Sequence, residues 1–406
     1  MQRGSNVVGV RRYNERLVLS SIRRMNGASK ADLARSTGLS PQAVLRIVED
    51  LESEGLLVRA GKRTGGMGQP STILRVNADG GYTIGVEIGR DQITCVLLNF
   101  DCEILAKRVD RVTFPELPHV IAEIRNFADR ELDALNEAQR ARFLGIGIAM
   151  PWFLGEWRKE IGISAEQARE WQKADVEETF RSGLDCPIFF ENDGNAGALA
   201  ELLCGVGLSL NNYLYCHLGT FIGGGLVLGG QIQTGRHGNA AALASMPVPG
   251  RGGKGQDYLL HHASLYRLKA LLHDAPLRDG SPHSMAAYLD RNPHEARVWI
   301  EECANALAFA VIGANSLLDL DAIVLNGALP DAVIDRLIEV LRQRIRIDPP
   351  RDFFEPVLLR GNIGEIAPAV GAGLLPLHAT FSPNLRSLLK SSDGRSLTSR
   401  LGKNMY

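Results

Sequence analysis

Ser40, Gln42, Ala43 and Arg46 sit at the start of a run with helical spacing, and their side chains suit base recognition. Short or hydrogen-bonding groups at the N-terminal tip of a helix can read base edges in a major groove. Arg11 and Arg12 ahead of them could reach phosphates, as could Arg23 and Arg24, while Lys62 and Arg63 behind are placed to touch the DNA backbone or the minor groove. A second candidate set lies far downstream, where the short apolar run Pro187 to Phe190 ends in Glu191, Asn192 and Asp193 before an alanine-rich helix. Polar groups at the carboxyl end of a strand are where ligands meet an α/β sheet. Asn192 and Asp193 could instead serve only to cap the helix that follows.

The elements that must position the first set are legible from Ser29 to Leu57. Ser29 suits the N-cap of a short helix carrying Ala31, Leu33 and Ala34, and Gly38 stands where the turn between two helices needs positive φ. Ser40 then caps a second helix, with Pro41 at its first position, where the missing N–H costs nothing. Val44, Ile47, Val48 and Leu51 fall at i, i+3, i+4 and i+7, which makes one buried face. Glu49, Asp50, Glu52 and Glu54 would be repelled by phosphate, so the C-terminal half of this helix must point away from the DNA backbone. Leu17, Val18, Ser21 and Ile22 predict a helix from Val10 to Met25 in front. Strands at Leu56 to Ala60 and Thr72 to Val76 flank Gly61 to Pro70, the pattern of a hairpin wing. An ordinary helical hairpin, with a flexible linker in place of the wing, is the alternative reading.

A chain of 406 residues needs two or three structural units. Residues 1–75 hold 13 Lys and Arg against 6 Asp and Glu, a net of +7, which leaves 32 against 40, a net of −8, for the rest. A basic module on an acidic body suits a protein that holds DNA by one end. The six cysteines, Cys95, Cys102, Cys186, Cys204, Cys216 and Cys303, are scattered without a C-x-x-C pair and read as buried, reduced thiols of a cytosolic protein. Arg3, Arg11 and Arg12 lead into a polar helix rather than a signal peptide, and no run is apolar enough to span a membrane.

Turn chemistry at Asn77 to Gly81 marks the domain boundary. Beyond it, strands at Tyr82 to Glu87, Gln92 to Asn99 and Glu103 to Val109, a helix from Pro118 to Asn136 and a strand at Phe143 to Ile148 predict an α/β lobe. A second hairpin system, Tyr213 to Gly219 and Gly223 to Gly229, is followed by helices at Asp257 to Ala275 and Pro293 to Leu318 and a strand at Ala322 to Leu325. A glycine-rich helix start at Gly364 to Gly373 closes a second lobe. The expected domains are residues 1–78, 79–380 and a poorly packed tail, 381–406, rich in Ser, Lys, Arg and Gly.

GVEIGRDQITCVLLNFDCEIL from Gly85, ENDGNAGALAE from Glu191 and LGTFIGGGLVLGGQIQTGRHGNAA from Leu218 resemble the ROK family of sugar kinases and sugar-responsive repressors. RRYNERLVLSSIRR and the winged helix behind it resemble the repressor branch. The resemblance implies an α/β fold: an N-terminal winged helix-turn-helix followed by a two-lobed actin-like, ribonuclease H-like domain. It also implies a sugar site in which Asn192 and Asp193 hydrogen-bond hydroxyls, Asp193 being the general base in kinases, with Gly238 and Asn239 in the loop nearby.

Several positions depart from the family pattern. The kinases' D-x-G-G-T-K loop is here Glu87 to Gln92, and Glu87 and Asp91 would repel a triphosphate. Phe221 replaces a glycine of the second phosphate loop, and Ala242 and Ser245 stand where a Glu and a His of the sugar site belong. The wing reads Gly66, Met67, Gly68, Gln69, Pro70 in place of an arginine-bearing run. Pro249 to Tyr258 lacks the cysteines of the family's zinc run, so no metal is expected, and His261 and His262 read as ordinary helix residues facing different ways. The expectation is a cytoplasmic, non-enzymatic repressor without cofactor that binds double-stranded operator DNA and a small carbohydrate or polyol, as a dimer or tetramer. The alternatives are a sugar kinase carrying a DNA-binding module, and a regulator whose body binds a protein partner.

Overall fold

The computed structural model describes residues 7–63, 71–152, 154–155, 162–173, 176–253, 255–272, 282–347 and 351–383. Three helices, α1 (Val7–Arg24), α2 (Lys30–Thr37) and α3 (Pro41–Ser53), precede the hairpin of β1 (Leu57–Arg63) and β2 (Ser71–Val76). Local chemistry accounts for each boundary. The Ser29 hydroxyl accepts from the Asp32 N–H while the Asp32 carboxylate accepts from the Ser29 N–H, a capping box. Gly38 ends α2 at φ 69°, and the Ser40 hydroxyl accepts from the Ala43 N–H at 3.2 Å to start α3. Val44, Ile47, Val48 and Leu51 are all buried. The wing loop, residues 64–70, lies outside the described residues, so the departures at Gly66 to Pro70 do too.

The body contains one topology twice. The first sheet has β3 (Tyr82–Ile88), β4 (Gln92–Asn99), β5 (Ile104–Arg111), β6 (Phe143–Met150) and β7 (Ile188–Asn192) in the order β5-β4-β3-β6-β7, with a meander of three antiparallel strands followed by two parallel ones. Helices α4 (Leu117–Ala134), α5 (Glu137–Arg140), α6 (Ala165–Lys173) and α7 (Val176–Gly183) belong to this lobe. After α8 (Asp193–Cys204) the pattern repeats with β8 (Tyr213–Leu218), β9 (Ile222–Leu228) and β10 (Gln231–Ile232). The small hairpin β11 (Pro247–Pro249) and β12 (Gln256–Tyr258) and helices α9 (Leu265–Leu271), α10 (Pro282–Arg291) and α11 (Pro293–Leu318) intervene. Then β13 (Ala322–Gly327), α12 (Asp331–Ile347) and β14 (Val357–Arg360) complete the order β10-β9-β8-β13-β14. Duplicated sheets of this order are the two-lobed actin-like architecture expected from the sequence.

Two helices join the lobes. α8 leaves the first sheet and packs on the second, whereas α13 (Ala367–Phe381) leaves the second and packs on the first; the two pack against each other. Their approach requires glycine, because a Cβ on Gly371 would lie 1.7 Å from the Ala196 carbonyl oxygen. Gly371→Ala must therefore push two buried helix backbones apart, and a loss of roughly 1–3 kcal/mol or more in urea denaturation is expected.

The structure corrects four sequence expectations. Arg23 and Arg24 are turned onto the body and bonded there: Arg23 donates to Phe100 O at 2.5 Å and to Cys102 Sγ at 2.8 Å, and Arg24 to Leu208 O at 2.8 Å and Asn211 Oδ1 at 2.8 Å. No helix starts at Asp257, since that residue lies in β12 and α9 begins only after the Ser264 cap. His261 and His262 accordingly face the same way, reaching the two oxygens of Asp257 at 2.5 and 3.1 Å. Only Cys95, Cys216 and Cys303 are buried; the other three are half-buried. The helix that ends at Phe381 is well packed, with the Phe381 ring edge-on to Phe100, and residues 384–406 lie outside the described residues.

Candidate DNA-binding face and interlobe cleft

At the tip of α3, Ser40, Gln42 and Arg46 are exposed and Ala43 is half-buried. The acidic half of the same helix is drawn into the domain: Asp50 accepts from Arg11 at 2.8 Å, and Glu52 accepts from Arg59 at 2.7 and 3.0 Å. Arg11 also bonds Glu15 at 2.8 Å, so two carboxylates hold it beside the recognition helix. Arg12 is half-buried. Lys62 and Arg63 are exposed at the end of β1, and Arg63 reaches Asp32 at 3.2 Å. Donation by the Ser29 hydroxyl and N–H holds Asp32 down to about 2, so its charge persists at the start of α2.

The cleft between the lobes is built by equivalent parts of the duplicated sheets. The turn from β3 to β4, Gly89 to Asp91, meets the turn from β8 to β9, Gly219 to Phe221. The second turn is fixed by the start of α9, where the Leu265 and Tyr266 N–H groups donate to Gly219 O and Thr220 O. Across the gap Asp91 Oδ2 accepts from Thr220 Oγ1 at 2.9 Å and from Lys269 Nζ at 3.2 Å, and the Arg90 guanidinium lies 4.1 Å over the Phe221 ring. About 70 Å³ of solvent-reachable space remains, enough for a handful of waters.

Glu87 and Asp193 also line this space. Burial, with Asp193 and Asp91 close by, pushes the Glu87 carboxyl up to about 8. Burial also pushes Asp193 up, offset in part by the Arg90 charge, and drives Arg90 down to about 10. His217, whose Nδ1 pairs with the Tyr215 hydroxyl at 3.1 Å, is pushed down to about 4 by burial and faces the cleft as a neutral ring.

These groups do not suit a nucleotide triphosphate. The hydroxyl of Thr220 and the ammonium of Lys269, which could meet a phosphate, are engaged by Asp91, and two further carboxyls stand beside them. Among the described residues no cluster of three or more His, Cys, Asp or Glu is arranged to hold a metal ion.

The Asn-Asp pair reaches the same space through Asp193. Asn192 Oδ1 and Asp193 Oδ1 both accept from the Gly194 N–H, at 3.0 and 2.9 Å, so Asn192 does cap α8 while Asp193 also faces the cleft. Gly238, at φ 69°, brings its carbonyl to Trp152 Nε1 at 2.7 Å and to Asn195 Nδ2 at 3.4 Å, whereas Asn239 is exposed. The sequence reading missed Trp152 and Asn195, and it noted Glu191 without its partner. Glu191 Oε1 accepts from Asn195 Nδ2 at 3.0 Å, a spacing of four across the helix start that was available as a signal. Trp152 follows the carboxyl end of β6, the same kind of position that drew notice to Asn192.

Among known proteins, the chain is 28% identical over 370 residues to the uncharacterised protein y4fQ of Sinorhizobium fredii, covering 91% of each. It is 26% identical over 249 residues to the xylose repressor of Bacillus spizizenii, covering 60% of this chain and 63% of that one. A solved ROK family transcriptional regulator, a homologue of the E. coli MLC protein, superposes with a TM-score of 0.66 at 20% identity, over 94% of this chain and 99% of that one, which establishes the fold. The profile of the ROK family matches residues 83–378, and that of the winged helix-turn-helix DNA-binding domain matches residues 11–58. The chain is therefore a member of the ROK family that carries a winged helix-turn-helix ahead of its ROK domain.

Proposed function

We propose that the protein is a DNA-binding transcriptional repressor of carbohydrate uptake or catabolism genes, controlled by a small sugar or polyol in the ROK domain. The observation that carries this reading is the pairing of an exposed, uncharged-to-basic tip on α3 with a cleft whose phosphate-facing donors are already engaged within the chain. The xylose repressor among its relatives supports a sugar as the effector class. Ser40, Gln42, Ala43 and Arg46 read bases, with Arg11, Arg12, Lys62 and Arg63 toward phosphates. Asn192 and Asp193 bind effector hydroxyls beside Gly238 and Asn239.

The cleft as it stands is closed by contacts across it, so an effector must favour a different lobe angle to be admitted. In a cytoplasmic homodimer or tetramer that change would alter the spacing of recognition helices against half-sites about one helical turn apart, or a multiple of it. A thermal-shift screen of sugars, sugar phosphates, polyols and ATP with magnesium tests the reading. A sugar or polyol is expected to raise the melting temperature, and Asp193→Ala is expected to remove that shift while the unliganded protein still melts cooperatively. Stabilisation by ATP, with sugar phosphorylation lost in Asp193→Asn, would establish a kinase instead. Silence from every small molecule, with a stoichiometric protein recovered on the ROK domain, would move effector recognition to a protein partner.

A further inference from the structure

Two glycine positions of the family's phosphate loops, one in each lobe, carry bulky side chains here, and the two meet. Arg90 stands in the turn from β3 to β4 and Phe221 in the turn from β8 to β9, with the guanidinium 4.1 Å over the ring. A guanidinium stacked by its face keeps its N–H groups in its own plane, where its edge can donate. The Arg90 Nε is buried there without a hydrogen-bond partner. Two carboxylates of the cleft are engaged elsewhere: Asp91 Oδ2 accepts from Thr220 Oγ1 and Lys269 Nζ, and Asp193 Oδ1 accepts from the Gly194 N–H.

Glu87 gives an independent sign that this space is built for a ligand. Its side chain lines the same space, is 7% exposed, and leaves Oε2 buried without a hydrogen-bond partner. An unpaired buried oxygen costs free energy that a bound hydroxyl returns. Burial keeps the Glu87 carboxyl protonated up to about 8, so at neutral pH it sets no charge against an anion. Lys269 offsets Asp91 at 3.2 Å, and His217 is neutral. Arg90, Arg111 and an ionised Asp193 then remain around the space, two positive charges against one negative, a net of +1. That balance suits one negative charge, whereas a phosphate monoester brings about −1.5 to −2.

We propose that the cleft takes a sugar acid, a polyhydroxylated monocarboxylate of the uronate or aldonate class, whose carboxylate pairs with the edge of Arg90 while its hydroxyls reach Glu87 and Asp193. This names the ligand class of the effector site proposed above and rests on that reading. Arginine suits the role because its planar fork meets both oxygens of a carboxylate. The space of about 70 Å³ holds the acid head of such a ligand and not the whole sugar, so the rest is seated as the lobes part.

Calorimetric titration of the full-length protein compares the uronates and aldonates of pentoses and hexoses with the matching neutral aldoses, alditols and sugar phosphates. At least one acid is expected to bind about tenfold or more tightly than its neutral counterpart. Arg90→Gln should erase that advantage and leave affinity for the neutral counterpart within about twofold, and Arg90→Lys, which keeps the charge without the fork, should restore only part of it. Equal binding of acid and neutral sugar, tighter binding of the phosphates, an acid advantage that survives Arg90→Gln, or no binding by any acid would each overturn the assignment. Fluorescence anisotropy on operator DNA separates it from the repressor reading. An acid bound through Arg90 that leaves operator affinity unchanged would keep the site and count against the repressor. A neutral sugar that alone shifts operator affinity would keep the repressor and remove the acid.

Discussion

Alanine at both Gln42 and Arg46 is expected to reduce operator affinity roughly 30-fold to 10⁴-fold, because each good bidentate contact to a base is worth about 1–3 kcal/mol. Both side chains are exposed on α3, while its packing rests on the buried stripe Val44, Ile47, Val48 and Leu51 on another face. Helix and fold should thus survive the double substitution, and the melting temperature should stay within a degree or two. Ser40 is a poorer probe, since its hydroxyl caps the helix through the Ala43 N–H and its loss would cost stability as well as contact. Fluorescence anisotropy on DNA selected from a random pool provides the readout. The loss should fall on the selected sequence and spare random DNA, because contacts to phosphate carry no sequence information. An equal loss on both would mean that these side chains meet the backbone, and that the bases are read elsewhere.

What the sequence disclosed and what it withheld follow the distance over which each residue finds its partner. The winged helix was legible because its determinants are local: Ser29 with Asp32, Gly38 at its turn, Ser40 with Ala43, and a stripe repeating every three or four residues. Several strands of the body were legible for the same reason, as short apolar runs, whereas the two-lobed arrangement came from the family resemblance. Arg23 and Arg24 looked like the other basic residues near the DNA until their partners, at Phe100, Cys102 and Leu208, were brought to α1 by the fold of the body. His261 and His262 were misplaced because helical spacing was assumed where Asp257 sits on a strand and draws both rings together.

The candidate cleft divides in the same way. That Glu87 and Asp91 oppose a triphosphate followed from charge alone, but no spacing could show that Asp91 is bound by Thr220 and Lys269 from the opposite lobe. Likewise Asn192 and Asp193 were visible as a motif, whereas Trp152 reaches the same place only through the Gly238 carbonyl.

Glu87→Gln is expected to remove most of a pH dependence of stability that its carboxyl imposes. The side chain is 7% exposed, and burial with Asp193 and Asp91 nearby raises it from 4.5 to about 8. Between those values the folded chain keeps a proton that the unfolded chain releases, so stability falls as pH rises through the window. At about 1.4 kcal/mol per pH unit the full window amounts to roughly 4–5 kcal/mol. His217 and His378, both pushed down to about 4 by burial, act in the opposite direction, but only up to about pH 6.5, where the unfolded imidazole has lost its proton. From pH 6.5 to 8 the carboxyls therefore dominate, and Asp193, also raised by burial, works in the same direction as Glu87. Urea denaturation at the two ends of that interval should show the variant gaining roughly 2 kcal/mol on the natural protein. Parallel curves would mean that Glu87 is ionised throughout and that Arg90 stabilises its charge. The Oε2 atom of Glu87 is buried without a hydrogen-bond partner, so in its protonated form the carboxyl has a donor to offer. An effector hydroxyl reaching that oxygen would satisfy it, and the free energy withheld from the empty cleft would then be recovered as binding.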